Sequence, residues 1–182
     1  MKKLAVVLMM AGMLLVTGCG NSEKVIDGNV TNQGSGSAQE QGTGTQTQAK
    51  GYVFVSGSTT VEIDALAAPI VEKLGEPVSY YEAASCAFEG LDKMYTYQGF
   101  ELDTYPTGDD DYVSAVIFKD DSVKTPEGVG IGDTAKKVEE VYGSASAGSG
   151  TLEYAKDGMK LCFIVKDDEV VSVEYRTTVL DN

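Results

Sequence analysis

The sequence predicts an α+β fold: two tandem units of helix, strand, strand and strand, forming antiparallel sheet with the helices on one face. Three observations carry the prediction. Ile63, Ala67, Ile70, Leu74 and Gly75 align with Ile131, Ala135, Val138, Tyr142 and Gly143 at a constant offset of 68 residues. The spacing within each set is helical, and each set ends in a glycine suited to a left-handed cap. Each segment is then followed by short alternating apolar runs punctuated by turn residues, the pattern of consecutive antiparallel strands.

Before the repeat come two other segments. Lys2 and Lys3 precede an apolar run from Leu4 to Val16, which ends at Thr17-Gly18-Cys19. A run of about 13 residues is shorter than the roughly 20 that cross a bilayer as a helix. Residues 1–18 therefore read as a signal peptide. From 20 to 50 the chain is about two-thirds Gly, Ser, Thr, Gln and Asn with no aromatic residue. Such a stretch buries too little apolar surface to offset its ordering entropy, so 19–50 reads as an anchor cysteine followed by a disordered tether. Residues 51–182 form the globular domain, with units at about 51–125 and 126–182.

Within the first unit, Pro69 confines the helix to a short one. Tyr95 to Thr96 and Phe100 to Leu102 read as strands, with Val113 to Ala115 as the third and an insertion of about eleven residues between Glu82 and Met94. In the second unit, Asp133-Thr134 starts the helix, and Asp157-Gly158 marks a tight hairpin. Alternation there places Met159, Leu161, Phe163, Val165, Val171, Val173 and Tyr175 toward the helices. Transferring that register puts Tyr97, Phe100, Leu102, Val113, Ala115 and Ile117 inside the first unit, with Tyr105, Tyr112, Val116 and Phe118 on its outer face. That cluster either packs between the units or forms a binding surface. In the second case Asp103, with Glu101 and Asp109 to Asp111, forms an acidic rim.

Composition narrows the function. The chain has no His and no Trp, and 14 Lys+Arg against 28 Asp+Glu leave a net charge of −14. Without histidine there is no Ser-His or Cys-His pair and no His-ligated zinc. The basic clusters that grip nucleic-acid phosphates are absent too. The expectation is a non-catalytic protein with no cofactor, no metal and no nucleic-acid partner.

Three further features of the sequence bear on function. Ser56, Gly57, Ser58, Thr59 and Thr60 look like the phosphate loop of periplasmic phosphate-binding proteins, where hydroxyls and N–H groups at a helix N-terminus hold the anion; a Ser/Thr-rich hairpin turn is the other reading. Cys86 and Cys162 could join in a disulfide or stand as buried thiols. Asp109 to Asp111, Asp120-Asp121 and Asp167-Asp168 read as solvated turns, their spacing being unlike a calcium loop.

The Val16-Thr17-Gly18-Cys19 end of the apolar run resembles a bacterial lipobox, which implies lipid on Cys19 and a cell-membrane anchor on the extracytoplasmic face. The Ile131-Gly132-Asp133 entry with Val138, Val141, Tyr142 and Gly143 resembles the tandem helix-plus-sheet repeat of β-lactamase inhibitory proteins. More loosely, it resembles the small lipoprotein fold of the outer-membrane assembly machinery. The chain is also similar to lipoproteins of gut Firmicutes. These resemblances imply a scaffold that binds an envelope or extracellular protein, with membrane lipid as its second partner through Cys19. Capture of a small anion by Ser56 to Thr60 is the alternative.

Overall fold

The computed structural model describes residues 51–148 and 150–181. The signal peptide, Cys19 and the tether of the sequence reading lie outside the described residues. The chain opens with a hairpin of β1 (Val53–Ser56) and β2 (Thr59–Glu62), followed by α1 (Ala67–Leu74). Four strands follow: β3 (Ser79–Ala84), β4 (Leu91–Thr96), β5 (Phe100–Thr107) and β6 (Asp110–Phe118). Then come α2 (Ala135–Tyr142), β7 (Ser146–Gly148), β8 (Thr151–Lys156), β9 (Met159–Lys166) and β10 (Glu169–Thr177). The last eight strands make one antiparallel sheet in the order β3-β4-β5-β6-β10-β9-β8-β7.

This corrects the α+β expectation: the described chain is mostly β. Each helix has eight residues, about two turns, too little to cover one face of an eight-stranded sheet. The middle of the cover is instead the β1–β2 hairpin. Its Phe54 lies against Phe100, Phe118 and Tyr175, with ring centroids 4.8, 5.4 and 6.2 Å away. Ala67 and Ile70 of α1 and Val138 of α2 close the core on either side. Each unit also has four strands after its helix rather than three. The stretch between Glu82 and Met94 is not an insertion, since it holds the end of β3, a loop and the start of β4.

Both helices stop at glycine for a physical reason. Gly75 and Gly143 take φ values of 80° and 85°, a region that L side chains enter only with strain. Their N–H groups donate to Val71 O and Glu139 O. A tyrosine from the following strands then holds each glycine carbonyl: Tyr154 donates to Gly143 O at 2.9 Å, and Tyr97 to Gly75 O at a longer 3.5 Å.

Two β-bulges reset the faces of the sheet. On β6, Ser114 is an extra residue between the pairs Asp103–Ala115 and Thr104–Val113. On β10, Val171 is extra between the pairs of Val170 and Ser172. One extra residue reverses the side on which every later side chain lies. Val113, Val116 and Phe118 consequently all reach the core, whereas Ala115 and Ile117 share pairs with Asp103 and Glu101 on the other face. Likewise Val170 is buried and Val171 exposed, the reverse of the predicted register.

Candidate binding surface

The structure divides the predicted aromatic cluster. Val116 and Phe118 are 0% and 3% exposed, so they are not on a binding face. Val116 pairs with Tyr175 of β10, and the Phe118 ring lies 6.1 Å from the same tyrosine; both pack between the units. Tyr105 and Tyr112 pair across β5 and β6 and stack at 5.8 Å, with Phe88 on the other side of Tyr105 at 5.2 Å. Tyr105 is buried, and its hydroxyl donates to Asp64 Oδ1 at 3.1 Å. Burial, with the Asp64 carboxylate beside it, pushes this phenol up to about 12. Such a ring supports the sheet from one side and offers a partner little area.

Asp103 has a different environment. It pairs with Met94 of β4 and lines a cavity of about 390 Å³. Its Oδ1 is buried with no hydrogen-bond partner among the described residues. Burial is the chief reason that its carboxyl rises to about 7, and the nearby Glu101 and Glu174 add to it.

The phosphate-loop geometry is absent. Ser56 and Thr59 close the β1–β2 hairpin around Gly57 and Ser58, Thr59 is buried, and Thr60 lies within β2. The next helix begins only at Ala67, so no helix N-terminus stands behind these hydroxyls. The possible disulfide is also corrected: Cys86 and Cys162 are both free, the first exposed and the second buried. Cys86 lies in the loop between β3 and β4, while Cys162 lies on β9, four strand spacings beyond β4. At about 4.8 Å per spacing that is roughly 20 Å, against a Cα separation of at most about 7 Å for a disulfide. Among the described residues no group of three acidic or thiol side chains is placed to hold a metal ion.

The most open surface is one the sequence reading passed over. β3 is a terminal strand of the sheet, and five of its six residues are exposed. Tyr81 and Tyr80 are 61% and 48% exposed, and the preceding Val78 is 78% exposed. Strands at an edge leave alternate N–H and C=O groups unpaired, and proteins usually blunt them with lysine, proline, bulges or brevity. The opposite edge, β7, is three residues long and ends in Gly148. β3 is less protected: it is twice as long, has no bulge against β4, and contains neither Lys nor Pro, its one charged residue being Glu82.

No protein-family model and no curated protein matches the chain. Among solved structures, an extracellular protein containing an SCP domain from Bacillus anthracis str. Ames is similar, with 13% identity and a TM-score of 0.40. The alignment covers 68% of this chain and 47% of that one, so this chain spans about half of that protein's length. Among the described residues no helix is long and apolar enough to cross a membrane.

Proposed function

We propose that this protein is an extracytoplasmic lipoprotein, held on the membrane through Cys19, that acts as a non-catalytic protein-binding module by pairing β3 with an extended segment of its partner. The open β3 edge carries the reading. Strand addition draws affinity from main-chain hydrogen bonds and specificity from alternate side chains. Tyr80 and Tyr81 add large rings that lose little conformational entropy when covered. The net charge of −14, with Glu76 and Glu82 flanking the exposed residues, opposes pairing of two copies and favours a basic segment. The lipobox-like Val16 to Cys19 supports the anchor, and the likeness of the α2 repeat to β-lactamase inhibitory proteins is in keeping with an interaction scaffold.

The test is affinity capture from native envelope extract by the full chain, wild type beside Val78→Lys/Tyr81→Lys. Both positions are exposed, so the melting temperature should stay within about 2 °C, while edge lysines oppose strand pairing and repel a basic partner. Loss of the captured protein with an unchanged melt is the expected result. Equal capture by both proteins would exclude the β3 edge as the binding surface.

A further inference from the structure

We infer that the partner strand runs antiparallel to β3 and carries a lysine or arginine opposite Glu82, then an apolar residue opposite Tyr81 and an aromatic one opposite Tyr80. This rests on strand addition at β3 and names the segment that the edge selects. Register fixes which main-chain groups are open. Ser85 N–H donates to Gly90 O at 3.0 Å, just beyond the Ala84–Leu91 pair that ends the β3–β4 ladder. In antiparallel pairs, residues that exchange hydrogen bonds alternate with residues that do not. The main-chain groups of Ala83, Tyr81 and Ser79 therefore face β4 as those of Ser85 do. Those of Tyr80, Glu82 and Ala84 point to the open edge, where they meet no other segment among the described residues.

The charge of this edge has one sign. From Glu76 to Asp92 the chain holds four acidic residues, Glu76, Glu82, Glu89 and Asp92, and no Lys or Arg. Lys93 stands across from Glu82 in the ladder but is engaged by Asp111, with its Nζ 2.5 Å from Oδ2. Glu82 is left with a hydrogen bond from the Tyr80 hydroxyl, which satisfies an oxygen and leaves the charge in place. Opposite charges directly across a ladder attract and like charges repel, so Glu82 selects a cation. A second copy of β3 would instead bring two acidic edges together.

The two faces of β3 make different demands. Tyr80 and Glu82 share the face of Tyr95, whose ring centroid lies 5.0 Å from that of Tyr80. Tyr95 packs against the core, so a ring opposite Tyr80 continues an aromatic row outward. Tyr81 lies on the other face, across from Met94, and is 61% exposed. Because its main-chain groups face β4, its pair with an added antiparallel strand is a non-hydrogen-bonded one, in which Cα atoms come within about 4.5 Å and side chains are closest. An apolar β-branched residue covers the Tyr81 ring there. Every pairing in the sheet is antiparallel, and a parallel strand pairs slightly less stably. In the antiparallel direction the three positions read basic, apolar, aromatic.

The probes are acetyl-Thr-Thr-Lys-Val-Tyr-Thr-Thr-amide, the same peptide with Glu in place of Lys, and the reversed sequence acetyl-Thr-Thr-Tyr-Val-Lys-Thr-Thr-amide, followed on the full chain by ligand-observed NMR. The Lys peptide should bind about fivefold or more tighter than the Glu peptide, since an attractive cross-strand pair replaces a repulsive one. Glu82→Lys should reverse that order. The nearly isosteric Glu82→Gln should abolish it, which keeps the test decisive should Glu82→Lys fail to fold. Ala84→Pro puts a ring on the open edge and removes only an outward N–H. It should weaken the Lys peptide by about fivefold or more, the effect of one lost hydrogen bond, with circular dichroism unchanged. Equal binding of the Lys and Glu peptides, an order unchanged in the Glu82 variants, equal binding of the reversed peptide, or no binding of any peptide would overturn the inference and leave strand addition to the capture experiment. Undiminished binding by Ala84→Pro would exclude the β3 edge itself, and a wild-type dimer that Ala84→Pro separates would assign the edge to a second copy; either result would end both readings.

Discussion

Asp103 and Asp133 show how one side chain takes opposite electrostatic roles. Burial alone would raise the Asp133 carboxyl, but hydrogen bonds from Lys137 Nζ, Gly130 N–H and Lys124 Nζ outweigh it and hold it at about 2. A carboxyl lowered in the folded state stabilises the protein fully above its unfolded value, near 3.8, and loses that contribution as pH falls toward the folded one. Asp133→Asn should therefore cost about 1–2 kcal/mol at pH 7, and the difference from wild type should begin to shrink below about pH 4 and be gone near pH 2. Asp103 has the reverse sign. Its value of about 7 exceeds the ordinary 3.8, so its stability penalty is absent at pH 3, grows between those values and is complete above them. Asp103→Asn should thus stabilise the fold at pH 8 by about 1–2 kcal/mol, after discounting the shift for solvent screening. Urea unfolding of both variants at pH 3 and pH 8 checks the two signs together.

At the scale of elements, α2 has a side-chain cap and α1 does not. Thr134 Oγ1 accepts from Lys137 N at 3.2 Å, whereas Leu66 at the start of α1 makes no such bond. Thr134→Ala should cost about 1 kcal/mol, lowering the melting temperature by a few degrees. The ends of both helices were legible in the sequence because Gly75 and Gly143 mark them by composition. So was the Asp157-Gly158 hairpin between β8 and β9, where both residues take positive φ. The bulges at Ser114 and Val171 were not legible, since an extra residue within a strand has no composition of its own and shows only as a change of face. β3 was missed for a related reason: with nearly all of Ser79 to Ala84 exposed, neither face selects apolar residues, and the alternation that identifies a strand does not arise. The open edge proposed for binding was hidden by that same exposure. Asp103 was legible as an acidic residue near the candidate face, but its unpartnered oxygen depends on packing among β3, β4, β5 and the chain end at Leu180.

Across the whole molecule, the two units share one core. The sheet is continuous through the pairing of β6 with β10, where Val116 meets Tyr175. Above that seam Phe54 reaches Phe100 and Phe118 from the first unit and Tyr175 from the second. A hairpin that precedes both helices in sequence is thus part of the packing of each unit. Phe54→Ala should therefore cost about 3–5 kcal/mol through the cavity it leaves, and unfolding should remain a single transition because no boundary separates the units. The stronger prediction concerns the units apart. A fragment of residues 126–182 would expose β10 along the edge that β6 covers, with Tyr175 losing Phe54, Phe118 and Val116. At fewer than about 60 residues such a fragment is marginal even with a complete core. It should show no cooperative thermal transition by circular dichroism, and a fragment of residues 51–125, with β6 exposed and Phe54 half covered, should behave the same way. A sigmoidal melt from either fragment alone would mean that the repeat consists of two domains placed side by side, and that the β6–β10 seam is an interface and not the middle of a core.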